Sequence, residues 1–332
     1  MLYHYVVYPM PETLTKPDPT LTDDAPWNAY QRPFVRDLAY VLACPNVLTT
    51  WLDFAPHQNT HTVEVHSASF WQAQFEAYRE RLEELDATAA YQELTRYLMK
   101  RPSPSRLGFH FEGLLSFWLE DGYARNLHPY ETLANNVQLY NGKQTTGELD
   151  LILYNHEEEL VEHWELAIKF FMGSAPFAPE NWVGINSKDN LQRKMTHMQT
   201  KQFRSVWVDT EDHGRIRIDK RYGIIKGRFF LPINTTSFGH HDWPTWLEPS
   251  FPIYEWCDKN DLTNLATIDM TRLRKAHYVE WFSKRGFYDD YARYQPPLTY
   301  AETDTLRTGL YFEGDRPIVI YYARHDKVED KF

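Results

Sequence analysis

The sequence predicts an α/β protein whose sheet carries the chemistry, preceded by a helical N-terminal region and followed by an aromatic-rich α+β C-terminal region. Three patterns predict it. Leu149, Leu151 and Leu153 alternate with Glu148, Asp150 and Ile152, and Trp164, Leu166, Ile168 and Phe170 alternate with His163, Glu165, Ala167 and Lys169, the period of two that strands require. Upstream, Leu107, Phe111, Leu114, Leu115 and Trp118 form one stripe at helical spacing over residues 106–119. Downstream, a helix-like stretch over 187–206 separates these strands from cationic strand-like runs at 215–218 and 222–230, the second expected as a fourth core strand.

Residues 1–105 form the helical region. After an extended start rich in proline (Pro9, Pro11, Pro17, Pro19, Pro26), helices are expected over 34–43, 70–85 and 88–100, and Pro102-Ser103-Pro104-Ser105 marks the boundary to a core at 106–232. The two core strands are joined by the short polar segment Asn155-His156-Glu157-Glu158-Glu159, so an antiparallel hairpin is their simplest pairing. In the 187–206 helix Ser187 is the expected N-cap, with Leu191, Met195, Met198 and Phe203 as the apolar stripe and Lys188, Lys194, Lys201 and Arg204 outside it. Residues 233–332 are rich in aromatics, including His240-His241-Asp242-Trp243, Trp246, Tyr254 and Trp256, with a helix expected over 265–285 and strands over 309–312 and 317–321. Those aromatics read as core, a cover over the sheet being the functional alternative.

The hairpin concentrates charge. In one register Asp150 faces Glu165; in another Asp150 faces His163 and Glu148 faces Glu165. Either sets carboxylates about 5 Å apart across the strands, where like charges repel. A cation must sit between them, either Lys169 on the same face or a divalent metal with oxygen ligands. Magnesium, or manganese in its place, suits one or two carboxylates with several retained waters and then takes phosphate oxygens. Glu112, beside the apolar stripe of its helix, is a further acid that either faces solvent or aims into the site. A half-buried salt bridge from Lys169 to Asp150 or Glu165 accounts for the same residues without chemistry. His57, His61 and His66 lack the acid and the helical context of a zinc-protease motif.

Four segments occur in one order: Arg36-Asp37-Leu38-Ala39; Leu107-Gly108 through Phe111-Glu112; Gly147-Glu148-Leu149-Asp150; and Glu165-Leu166-Ala167-Ile168-Lys169-Phe170. Over most of the chain they resemble the uncharacterised bacterial family known as domain of unknown function 1853 and, more broadly, the PD-(D/E)XK nuclease superfamily. The resemblance implies a restriction-endonuclease-like αβββαβ core and a metal-dependent nuclease that hydrolyses phosphodiester bonds in nucleic acid, DNA being the expected partner. By the same resemblance Asp150 and Glu165 bind Mg2+ or Mn2+, Lys169 orients or activates the attacking water, and Glu112 contributes from its helix. Glu148 could fill a vacant corner of the metal site. One departure matters. The superfamily places its second acid two residues before the lysine, where this chain has Ala167; Glu165 stands four residues back, about 13 Å rather than about 7 Å along a strand. A catalytically inactive nuclease-fold module that binds nucleic acid or a protein partner is therefore the alternative.

Composition is compatible with this reading. The chain has 332 residues, 42% hydrophobic and 24% charged, with no apolar run of membrane-spanning length and no basic start of a secretory signal, so a cytoplasmic protein is expected. Cys44 and Cys257 fit no zinc spacing. A net charge of −11 argues against indiscriminate nucleic-acid binding, but residues 181–230 carry +6 against −17 over the rest. Lys188, Arg193, Lys194, Lys201, Lys226 and Arg228 from this stretch are the expected contacts to a phosphate backbone; an ordinary solvated face with cationic edge strands explains the same charges.

Overall fold

A computed structural model describes residues 25–57, 61–103, 106–141, 144–186, 188–233, 244–282, 306–314 and 316–321. The proline-rich start to residue 24, Pro104, Ser105, Ser187 and the His240–Trp243 run lie outside the described residues. The architecture is α/β, built on a large mixed sheet with helices against it. Helices α1 (Pro33–Ala43), α2 (Ala68–Ala87), α3 (Tyr91–Lys100) and α4 (Leu107–Ala124) come first, as their apolar spacing predicts. Their inward stripes merge into one core: Leu38, Tyr40, Leu42, Trp71, Tyr78, Leu82, Leu114 and Trp118 are each at most 1% exposed. None of these four helices is long and apolar enough to cross a membrane, nor is any other described helix.

An antiparallel meander follows: β1 (Tyr130–Asn141), β2 (Gln144–Asn155) and β3 (Leu160–Gly173). The short β4 (Trp182–Gly184) pairs with the far end of β3, helix α5 (Leu191–His197) crosses over, and β7 (Lys220–Pro232) lies parallel to β3 over Glu162–Met172. Between α5 and β7 a separate hairpin forms from β5 (Trp207–Thr210) and β6 (Gly214–Arg217). Strands β8 (Ile253–Asp258) and β11 (Arg316–Tyr321) continue the sheet in parallel, and β10 (Gly309–Glu313) and β9 (Leu273–Lys275) close it antiparallel, giving the order β1-β2-β3-β7-β8-β11-β10-β9. The sheet thus continues from β7 of the expected 106–232 core into β8 of the aromatic-rich C-terminal region. Trp246 and Tyr254, at 9% and 7% exposure, belong to the interior, as expected of C-terminal aromatics.

Strand β7 is buried on both faces from Arg221 to Leu231, as a central parallel strand must be. Where β8 has not yet joined it, irregular chain covers its edge. Val47 N donates to Ile225 O at 2.9 Å, Asn46 Nδ2 to Gly223 O at 2.7 Å, and Glu64 N to Arg221 O at 2.8 Å. These bonds replace a strand ladder and leave no open edge there.

Two expected helices are different. The 187–206 helix starts at Leu191, with Asn190 Oδ1 accepting from Arg193 N at 2.8 Å, and passes into a wide turn at Met198–Gln202. The 265–285 helix is absent among the described residues. In its place stand α6 (Leu262–Leu265), a tight turn at Met270–Arg272 and β9, because Leu273 and Arg274 are consecutive buried residues that pair with Glu313 and Phe312. Consecutive burial suits a strand held between two layers rather than a one-sided helix.

Candidate active site

Strands β2 and β3 pair only from Leu151↔Trp164 to Asn155↔Leu160. Beyond Trp164 the two strands part, and β3 meets β4 only at Phe171. In that register Asp150 is the next residue opposite Glu165, which selects the first of the two registers the sequence allows. The opening is bridged by a side chain: Leu166 N donates to Asp150 Oδ2 at 2.7 Å. A carboxylate thus takes the place of a backbone carbonyl at the point where the ladder ends.

Glu165 is 1% exposed. Its Oε1 accepts from Gln202 Nε2, carried by the wide turn after α5, while Oε2 lies 3.3 Å from His163 Nε2 and receives no hydrogen bond from any described residue. His163 does not charge there, because burial lowers its pKa to about 3. Asp150 is held well above the usual carboxylate range, first by burial and then by the charge of Glu165. Glu165 is itself raised to about 7, chiefly by burial, with Lys194 opposing the shift. Two ionised carboxylates are acceptors only, so what joins this pair is a proton or a cation.

Glu112, half-buried on α4, is also raised to about 7, first by burial and next by the charge of Asp150; Glu148 adds to the effect, and Arg101 and Lys194 oppose it. Glu148 on β2 accepts from Gln138 Nε2, its cross-strand neighbour on β1. The four expected acids therefore lie close enough to perturb one another, with Asp150 and Glu165 as the intimate pair. Among the described residues no group of three or more His, Cys, Asp or Glu side chains stands gathered as a ready metal site. A two-carboxylate set with an unpartnered Glu165 oxygen fits magnesium or manganese, which retain several waters, better than calcium or a structural zinc ion.

The cations are arranged differently from the expectation. Lys169 Nζ bonds Asp189 Oδ2 at 2.6 Å rather than either acid of the pair. Lys194, expected as a phosphate-backbone contact, lies within electrostatic reach of the acids: burial lowers its pKa, the charges of Glu165, Asp150 and Asp189 oppose that shift, and the charge of Lys169 adds to it. With Lys188, Asp189, Gln192, Arg193 and His197 it lines an open groove of about 730 Å³ along α5. Lys201 is exposed one turn further on.

Two expected phosphate contacts fail. Lys226 is fully buried, donates to Val41 O at 2.6 Å and to Cys44 O, and sits 3.4 Å over the Trp71 ring, so it caps the carbonyl end of α1. Arg228 is 1% exposed and donates to Phe282 O at 3.0 Å over the Tyr254 ring. Neither reaches a surface. His66 is likewise a core residue, stacked at 3.8 Å and 4.0 Å between Phe70 and Tyr222. Gln202 and Asp189 were not legible as site residues: their partners lie 37 and 20 positions away, and no local spacing signals either.

Fold and site together define a mixed α/β protein with a buried acid pair at an opened strand edge, flanked by a basic helix. The chain belongs to the family described as Domain of unknown function (DUF1853), whose model matches residues 36–307. No curated protein and no solved structure matches it.

Proposed function

We propose that this chain is a metal-dependent nuclease that hydrolyses phosphodiester bonds in nucleic acid, with DNA the first substrate to test. The observation that carries the reading is the Asp150–Glu165 pair, facing across parted strands within electrostatic reach of the half-buried Lys194, which with Lys188 and Arg193 also lines an open groove. The order of α4, the antiparallel β1–β2–β3, α5 and the parallel β7 supports a restriction-endonuclease-like αβββαβ core and the PD-(D/E)XK resemblance.

Asp150 and Glu165 would hold the divalent ion, with Glu112 or Glu148 as a further acid beside them. When bound, that ion supplies positive charge that screens the phosphate and makes an attacking water more acidic. The chain's own groups do the rest. Basic residues along α5 would hold the phosphodiester in the groove by charge-assisted hydrogen bonds. As the water oxygen bonds to phosphorus, one P–O ester bond breaks; the water gives up a proton and the departing sugar oxygen takes one from solvent. Glu112, titrating near 7, is suited to accept the water's proton at neutral pH.

A second reading, a nuclease-fold module that binds nucleic acid or a protein without cleaving it, is favoured by one pair of observations: Ala167 stands where a lysine-proximal acid is usual, and Lys169 is neutralised by Asp189. Incubation of plasmid and single-stranded DNA with the protein and Mg2+ or Mn2+ separates the two. Asp150→Asn and Glu165→Gln are each expected to reduce cleavage by roughly 10³-fold or more at unchanged fold. Salt-sensitive binding with no cleavage would favour the module; cleavage indifferent to both substitutions would remove the site.

A further inference from the structure

We infer that Lys194, presented from α5, is the ammonium that faces the reacting phosphate at the Asp150–Glu165 pair, and that Lys169 is instead committed to Asp189. The inference rests on the nuclease reading and assigns a residue to it. Lys194, Met198 and Gln202 recur at four-residue spacing along α5 and its wide turn. The last of them bonds Glu165 Oε1 and the middle one is fully buried, so this stripe is the one turned to the acids. Lys194 also lines the open groove, so the residue joins the helix face turned to the acids with the surface a nucleic-acid strand would enter.

Among the described residues Lys194 Nζ takes part in no ion pair, yet the charges of Glu165 and Asp150 act on it. An ammonium within electrostatic reach of the acid pair and on the wall of an open groove is placed to meet a phosphate oxygen entering there. Lys169, by contrast, has its charge matched at 2.6 Å, and using it would first require breaking that pair. Lys194 acts by charge on the developing phosphate oxyanion.

Two measurements test this, one of which needs no substrate. In metal-free buffer at pH 8, thermal unfolding of Lys194→Ala, Glu165→Gln and the double variant is expected to be non-additive by roughly 2 °C or more, while the same cycle with Lys169→Ala is additive. Additivity at Lys194, or coupling between Lys169 and Glu165, overturns the assignment whether or not the protein cleaves anything. In the cleavage assay Lys194→Ala is expected to lose roughly 10²- to 10³-fold in kcat with little change in KM, Lys194→Arg to recover part of it, and Lys169→Ala to lose less than about tenfold. Loss confined to Lys169→Ala overturns the inference and leaves the nuclease reading intact. A wild-type protein that never cleaves removes that reading, and the unfolding cycle still decides which lysine serves the acids.

Discussion

Gly227 sits beside Lys169 on the neighbouring strand with φ +130°, and a Cβ there would lie 1.8 Å from the Lys169 carbonyl oxygen. Only glycine fits both the angle and the approach. Gly227→Ala is expected to lower stability by about 3 kcal/mol or more in urea unfolding, combining backbone strain with displacement of β3 beside the site. An unchanged midpoint would show that β3 yields there freely. The acids were legible in sequence at this scale because strand alternation puts Asp150 and Glu165 on one face. The cations were not. Lys226 and Arg228 alternate on β7 like residues of a surface strand, but aromatic faces and backbone carbonyls receive them in the interior.

Helix α5 is short, and its first turn depends on one side chain. Asn190→Ala removes the bond to Arg193 N and is expected to cost about 1 kcal/mol, read as a shift in denaturation midpoint, with cleavage falling as Lys194 and Gln202 lose their fixed positions. A midpoint unchanged within a few tenths of a kcal/mol would mean that packing of Leu191 and Met195 alone holds the helix. The apolar stripe predicted the helix, but the structure shifts its N-cap to Asn190 and replaces its end with a wide turn. That turn re-aims Gln202 at Glu165, and such widened turns recur at functional sites. The β2–β3 hairpin was legible from alternation and linker length; its parting beyond Trp164 was not, because both strands keep their period through the opening.

Across the whole molecule the buried charges set opposing pH dependences. Glu112 and Glu165 are raised from 4.5 to about 7, so the stability they lend in protonated form is complete below about 4.5 and lost as pH rises through 7. Lys226, lowered from 10.5 to about 7, does the reverse: its contribution is present above about 10.5 and lost as pH falls through 7. His66 and His163, lowered from 6.5 to about 3, contribute above 6.5 and lose that as pH falls through 3. Glu165→Gln is therefore expected to match wild-type stability near pH 4.5 and to gain on it up to pH 8. Magnesium or manganese is expected to raise the wild-type melting temperature at pH 8 and to do little at pH 5, since the ligands must be ionised. Equal shifts at both pH values would place any bound metal elsewhere.

The sequence by itself determined the α/β class, the four leading helices, the charged hairpin and the family, because each follows from local periodicity or from motifs within a few residues of one another. Only the tertiary structure decided which register brought Asp150 to Glu165, that Lys169 pairs with Asp189, and which cations were buried. Those outcomes depend on contacts between residues far apart in the chain: Lys226 with the end of α1, Lys169 with Asp189, and the α5 turn with β3. Burial, not local pattern, sets the energy of each charge.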